Sequence, residues 1–515
     1  MTDEPNSNAT PSRPESRQAM VRVSGFFIGL ILFAGTLALP TPEGMSPEAW
    51  RVAGVALLMA AWWVTEALPV PATALVPLVA FPLTGVLPIH KASAPYADPL
   101  IFLFLGGFLI AIAMQRWNLH RRIALNILSR AGTRPAALVG GFMAGAAGLS
   151  MWVSNTATTV MMLPIALSVI GLLNSGRLDD PESGEAPEKE RNFAITLLLG
   201  IAYGASIGGL GTLIGTPPNA LLAAYLNKTY GVSVGFGQWM LVGVPVSLVL
   251  LPLAWWVLTR LAYPVGRTPI KGAGGVIRDE LKALGLMSKE EKCVAVVFTL
   301  TAMAWMTRPL LNAALPAPML SDPMIALIGA LVLFILPSNL SQGIFLMNWE
   351  WAKRLPWGVL ILFGGGLSLA RAIDGSGLAA WISDALTAGA GWPLIAIITL
   401  ITGVIILLTE ITSNTATASV FLPLAASFAV SIGIDPFLLL VPVALAASCA
   451  FMMPVATPPN AIVFGSGYLT IPEMVRAGLA LNVVAVVVIV AATYSLVVWV
   501  FGVDPGVIPE WAGTR

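Results

Sequence analysis

The sequence predicts an all-α polytopic membrane protein of two inverted repeats, with about 11 transmembrane helices plus two re-entrant hairpins. Three observations point there. Of 515 residues, 57% are hydrophobic and only 10% charged, with a mean hydropathy of +0.85; soluble globular domains carry about a quarter charged residues. The run Ser-Asn-Thr-Ala-Thr occurs at 154–158 and again at 413–417. A second run, Thr-Pro-Pro-Asn-Ala, occurs at 216–220 and at 457–461. Each copy is a polar, helix-breaking island in a long apolar stretch, and a bilayer tolerates such islands only where protein or a water-filled cavity satisfies the freed backbone.

The first 20 residues are polar and mixed in charge and read as a disordered cytoplasmic tail. Val21 to Leu39 is the first span. Pro40, Pro42 and Glu43 follow it where a cleavable signal would end in small residues, so the segment is kept. Further spans are read over Val52–Ala67, Val70–Leu87 and Leu100–Met114. Gln115 to Arg122, with Trp117 among its charges, reads as an interfacial helix. The apolar stretch 136–173 is split by Ser154-Asn155-Thr156 and is read as the first re-entrant hairpin. Asp179 to Glu190 is an acidic, water-exposed loop. Phe193 to Leu226 is broken at Gly215–Asn219, and Phe236 to Arg260 spans again, closing a first repeat at 21–260.

Residues 261–292, rich in Lys and Arg, form a cytoplasmic connector. The second repeat, 293–505, follows the first: spans at Cys293–Met306, Pro323–Leu336 and Trp357–Ala370, a second hairpin over 392–432, a break at Thr457–Asn460, and Met474–Phe501 to close. Ser154 to Ser413 and Gly106 to Gly365 are both steps of 259 residues, whereas Thr216 to Thr457 is a step of 241; the 18-residue shortfall is attributed to the region of the acidic loop, which the second half lacks. Gly364-Gly365-Gly366 reads as a close-packing stripe, since no Gly-Lys-Ser/Thr follows to cradle phosphate.

Short loops retained in the cytoplasm are rich in Lys and Arg. Segments 115–134 and 260–292 and the Lys353-Arg354 turn are therefore expected inside, and Pro40–Ala49, Ala92–Asp98 and Asp374–Ala390 outside. This sets the N-terminus in the cytoplasm and the C-terminus outside, and it inverts the repeats, so that one hairpin enters from each side.

Composition excludes other classes. The net charge is +1, and no basic stripe with interleaved aromatics offers a nucleic-acid surface. Cys293 and Cys449 are far apart in apolar segments and read as buried small hydrophobes, while His90 and His120 sit at segment ends beside Lys91, Arg121 and Arg122. The islands hold neither His nor Cys, so they lack a nucleophile-base pair and metal-ligand clusters, and no cofactor or enzyme activity is expected. What they hold is oxygen. Unwound carbonyls with Ser, Thr and Asn oxygens suit a hard cation, while helix starts and hydroxyls suit an anion. Asn155 and Asn414 carry both an amide oxygen and an amide nitrogen and can face both. No Lys or Arg lies in any island, so a dianion there needs co-bound cations. Glu66 and Glu410 are intramembrane carboxylates and functional candidates, Glu410 with a structural role open as well. Asp374, at a helix end, is expected to be solvated.

Trp62-Trp63-Val64-Thr65-Glu66-Ala67-Leu68-Pro69, the run from Ile101-Phe102-Leu103-Phe104-Leu105-Gly106-Gly107 to Arg121, both Ser-Asn-Thr motifs and both Thr-Pro-Pro-Asn motifs resemble the divalent anion/sodium symporter family. The likeness is to its bacterial sodium-dependent dicarboxylate symporters and covers roughly residues 20 to 505. It implies a homodimer in the cell inner membrane, each protomer divided into scaffold and transport domains. It also implies movement of succinate, fumarate or malate with sodium by an elevator-type motion. One sodium site maps by resemblance onto Ser150, Ser154, Asn155 and Gly215, the other onto Thr409, Thr412, Asn414 and Ala456. Substrate contacts map onto Asn155, Thr156, Thr216, Asn414, Thr415, Thr457 and Pro458. A sodium-independent exchanger and a citrate or sulfate carrier are the alternatives that the resemblance leaves open.

Overall fold

The structure, a computed structural model, describes residues 13–179, 187–317, 319–385 and 392–513. Among these, nine helices are long and apolar enough to cross a membrane. Shorter apolar helices, Pro135–Ser150 and Leu394–Thr409 among them, end at the polar islands.

α1 (Arg13–Ala38) packs along α2 (Pro47–Thr65). It begins inside the stretch expected to be a disordered tail: Pro14 suits a first helical turn, and an apolar span once formed extends cheaply into polar sequence. α3 (Pro99–Arg116) stops within the expected interfacial segment, because Asn118 takes a left-handed φ of 56°, and the amphipathic α4 (Leu119–Ser129) starts after it.

The basic segments gather against one another. Arg121 pairs with Glu280 on α10 (Ala273–Ala283). Arg122 reaches Glu291 at 2.9 Å and donates to the carbonyls of Gly285 (2.9 Å) and Leu284 (3.3 Å). Trp117 donates to the Leu346 carbonyl at 2.8 Å, and Trp351 lies under the guanidinium groups of Arg354 (3.9 Å) and Arg116 (5.9 Å). Segments 115–134 and 260–292 are thus in direct contact, and Trp351, beside the Lys353-Arg354 turn, meets Arg116 of the first.

Between these, α5 (Pro135–Ser150) and α6 (Asn155–Asp179) flank the first island. α7 (Pro187–Gly209) and α8 (Pro217–Tyr230) flank the second, and α9 (Phe236–Trp256) closes the half. Glu188 and Glu190 lie in the first turn of α7 rather than in a loop; residues 180–186 lie outside the described residues. The break expected at Gly215–Asn219 falls instead at 210–216. Proline has no N–H to lose at a helix start, so Pro217 and Pro218 open α8 instead of interrupting it.

The second half runs α11 (Lys289–Ala314), α12 (Asp322–Ile335), α13 (Trp357–Ser376), α14 (Leu394–Thr409), α15 (Asn414–Ser431), α16 (Phe437–Ala447), α17 (Pro458–Phe464) and α18 (Ile471–Ala492). Contacts between the halves are reciprocal. α8 packs on α15 and α16, and α17 packs on α6 and α7.

The glycine triplet on α13 is a packing surface. A Cβ at Gly364 would overlap the Tyr96 ring, at Gly365 the Ala74 carbonyl, and at Gly366 the Ser419 hydroxyl at 2.6 Å. Gly106 on α3 meets the Ala326 backbone of α12 in the same way, at 2.6 Å. Gly365→Val should destabilise the fold by about 1–3 kcal/mol, because the Ala74 backbone it would strike cannot rotate aside. Thermal unfolding in detergent reads this, and a melting curve like that of the unaltered protein contradicts it.

Candidate functional site

The two Ser-Asn-Thr islands repeat each other in atomic detail. α5 ends at Ser150 and α14 at Thr409, and each end residue donates its hydroxyl to the Asn five positions on: Ser150 Oγ to Asn155 Oδ1, and Thr409 Oγ1 to Asn414 Oδ1 at 2.7 Å. Those asparagines are the first residues of α6 and α15, so each amide sits at a helix start where backbone N–H groups lack helical partners. Ser154 Oγ accepts from Ala157 N at 3.3 Å and caps α6.

The Thr-Pro-Pro-Asn islands are duplicated equally closely. Asn219 Nδ2 donates to the carbonyls of Gly209 (3.2 Å), Leu210 (3.2 Å) and Thr212 (2.8 Å), while Asn460 Nδ2 donates to those of Ala450 (3.3 Å) and Met453 (3.0 Å). Each asparagine thereby reaches back 10 and 7 residues and holds an unwound segment in shape. Both Oδ1 atoms are buried without a hydrogen-bond partner among the described residues.

A chain of contacts joins the islands. The Asn155 amide lies against Gly209, where a Cβ would come within 3.0 Å of Asn155 Oδ1 and 3.1 Å of the Gly215 carbonyl. Gly215 leads to Thr216, whose hydroxyl sits 3.1 Å from that of Ser448. The neighbouring Ala447 carbonyl accepts from Thr409 Oγ1 at 2.8 Å, the hydroxyl that also serves Asn414. Thr412 bonds instead to the Leu408 carbonyl (2.8 Å) and the Thr417 hydroxyl (2.6 Å). Thr216, Thr415, Ala456 and Thr457 are buried, Asn155 and Asn414 half-buried, and Thr156 and Pro458 exposed. Crosswise packing sets α6, which Asn155 and Thr156 begin, on the helix that Thr457 and Pro458 begin. It likewise sets α15, which Asn414 and Thr415 begin, on the helix that Thr216 precedes.

The intramembrane carboxylates part ways. Glu66 ends α2 with a left-handed φ of 48° and meets Arg22 at 3.3 Å, both side chains half exposed; such a pair contributes at most about 1 kcal/mol. Glu410 is 3% exposed and accepts the backbone N–H groups of Phe451 (2.7 Å), Met452 (2.9 Å) and Met453 (3.0 Å) and the amide of Asn482 (2.8 Å). In the first half the corresponding link runs from the Thr212 hydroxyl to the Met151 carbonyl at 2.5 Å, with no charge. Asp374, expected to be solvated, accepts from Thr229 (3.1 Å) and Tyr225 (3.4 Å) on α8.

Sequence reasoning missed Ser448, Thr212 and Asn482, which belong to no repeated motif. Asn219 and Asn460 stood in plain view in the motif, and their recurrence was the available signal.

Residues 21–503 match the family described as the sodium:sulfate symporter transmembrane region. The chain is 44% identical over 482 residues to the sodium-dependent dicarboxylate transporter SdcS of Staphylococcus saprophyticus, covering 93% of this chain and 92% of that one. It is 41% identical over 482 residues to SdcS of Staphylococcus aureus, with the same coverage. Two solved structures share the fold at low identity. The YdaH transporter of Alcanivorax borkumensis has a TM-score of 0.54 at 15% identity, over 95% of this chain and 99% of that one. MtrF of Neisseria gonorrhoeae, from a class of antimetabolite efflux pumps, has a TM-score of 0.56 at 12% identity, over 97% of this chain and 98% of that one.

Proposed function

Because this chain belongs to the sodium:sulfate symporter family, we propose that it is a multi-pass membrane transporter carrying C4-dicarboxylates such as succinate, fumarate and malate in symport with sodium. The observation that carries the proposal is the doubled hydroxyl-to-asparagine contact, Ser150 to Asn155 and Thr409 to Asn414. It gathers uncharged oxygens at two helix starts, a donor set that suits a hard cation beside an anion. The names of the SdcS relatives support the same reading.

On this reading Ser150, Ser154, Asn155 and the Gly215 carbonyl hold one sodium ion, and Thr409, Thr412, Asn414 and the Ala456 carbonyl hold the other. The dianion lies between them against Asn155, Thr156, Thr216, Asn414, Thr415, Thr457 and Pro458. Its two charges are balanced by the bound cations. The reciprocal packing of α8 on α15 and of α17 on α6 supports inverted repeats whose islands form one chamber. Segments α5–α6 and α14–α15 are re-entrant hairpins, entering from the cytoplasm and from outside. They belong to a mobile domain that moves by an elevator motion against a scaffold, in a homodimer in the cell inner membrane with the N-terminus in the cytoplasm and the C-terminus outside.

Labelled succinate uptake into proteoliposomes tests this. Uptake should require an inward sodium gradient and be competed by fumarate and malate. Uptake that proceeds equally in potassium and needs internal dicarboxylate identifies an exchanger instead, and stronger competition by sulfate than by fumarate removes the C4 assignment.

A further inference from the structure

A cavity of about 370 Å³ lies between the C-terminal ends of α8 and α13, lined by Tyr225, Lys228, Thr229, Arg371 and Asp374. It is separate from the islands: α8 begins beside Thr216, and Lys228 lies about 17 Å further along it at the rise of an α-helix. Its volume falls in the range of small-molecule sites. Of its charged groups, Asp374 is engaged by the hydroxyls of Thr229 and Tyr225. Neither Lys228 nor Arg371 forms a salt bridge among the described residues. Asp98, the other carboxylate close enough to Lys228 to feel its charge, is 3% exposed, takes the Leu100 N–H at 3.0 Å, and is not part of the lining. The cavity therefore presents two cations against one carboxylate. The helix dipole accounts for the sign of one of these cations, Lys228 in the last turn of α8, whereas Arg371 lies outside the last turn of α13. It does not account for two of them, from different helices, lining one open space.

We infer that this cavity is a docking site for the carboxylate dianion, with Arg371 able to take one carboxylate through paired N–H groups and Lys228 facing the other. The islands hold no Lys or Arg, so a cationic site at the far end of α8 supplies the attraction they lack until sodium binds. It concentrates substrate at the mouth of the protein rather than holding it through the cycle. The inference rests on the dicarboxylate reading above and sets the cavity on the outer side, where the Asp374 end of α13 is expected.

Initial succinate uptake into right-side-out proteoliposomes at saturating sodium tests it. In Lys228→Gln/Arg371→Gln, KM should rise about tenfold with kcat little changed, since focusing charge acts on encounter. Raising choline chloride at fixed sodium should slow the unaltered protein at low succinate and the variant much less, and Lys228→Arg/Arg371→Lys should restore KM. If the double variant misfolds, Arg371→Gln alone is read by the same measurements. Independently, calorimetric titration of succinate into Asn155→Ala/Asn414→Ala should show a weak residual site that disappears when Lys228→Gln/Arg371→Gln is added. An unchanged KM and salt response, or no residual heat, overturns the docking site and leaves the transport reading standing. Failure of the unaltered protein to take up succinate would remove the transport reading, and the titration still decides the cavity.

Discussion

Asn155→Ala and Asn414→Ala are each expected to abolish sodium-driven succinate uptake in a protein that still folds. Each amide oxygen is the acceptor for a hydroxyl, Ser150 or Thr409, that ends the preceding helix. On the proposed reading the same side chain touches an ion and the substrate. A hydrogen bond to a charged group is worth about 1.5–3 kcal/mol, so losing two costs a factor of about 10²–10⁴ in uptake. Stability should change less, by about 1–3 kcal/mol, because both asparagines are half-buried and the freed Thr409 hydroxyl keeps the Ala447 carbonyl at 2.8 Å, while the buried Ser150 hydroxyl loses its acceptor. Uptake beside a melting curve separates the two effects. Uptake by both variants within about threefold of the unaltered protein would falsify the assignment of these residues to the site.

The second large effect is expected at Glu410. Its carboxylate is buried, pairs with no Lys or Arg among the described residues, and satisfies three consecutive backbone N–H groups and the Asn482 amide. Glu410→Ala leaves four buried donors without their acceptor, each costing about 1–3 kcal/mol, so loss of the folded protein is the expected outcome. Glu410→Gln keeps the shape but turns an N–H₂ toward N–H donors and removes the charge. Glu410 adjoins Thr409, whose hydroxyl meets Asn414 and the Ala447 carbonyl. A cation held there would be drawn by the fixed negative charge and would in turn offset its burial. Glu410→Gln is therefore expected to raise the sodium concentration for half-maximal uptake by about tenfold and to shrink the rise in melting temperature that sodium produces. An unaltered sodium curve and an unaltered sodium-dependent melting shift would confine Glu410 to a structural role.

The paired islands were legible in the chain. A polar run that breaks an apolar stretch is costly in a bilayer, so its recurrence at a constant offset of 259 residues marks function without any coordinates. The pairing of Ser150 with Asn155 and of Thr409 with Asn414 is local, five residues apart, but Ser150 and Thr409 lie outside the motif and were reached only through the family resemblance. The boundaries of the second breaks were misplaced. Proline in sequence reads as an interruption, whereas at a helix start its missing N–H costs nothing, and Pro217 and Pro218 open α8.

Composition and spacing are properties of the chain, and they carry the membrane class, the duplication, and the oxygen-rich, uncharged character of the islands. Tertiary structure alone decided that Thr216 meets Ser448, that α8 lies on α15 and α17 on α6, that Glu410 is clamped by the loop at 451–453, and that Lys228 and Arg371 face one cavity. These are contacts between segments from 41 to more than 200 residues apart. No periodicity encodes them, and only the packing of helices against one another brings such groups within reach.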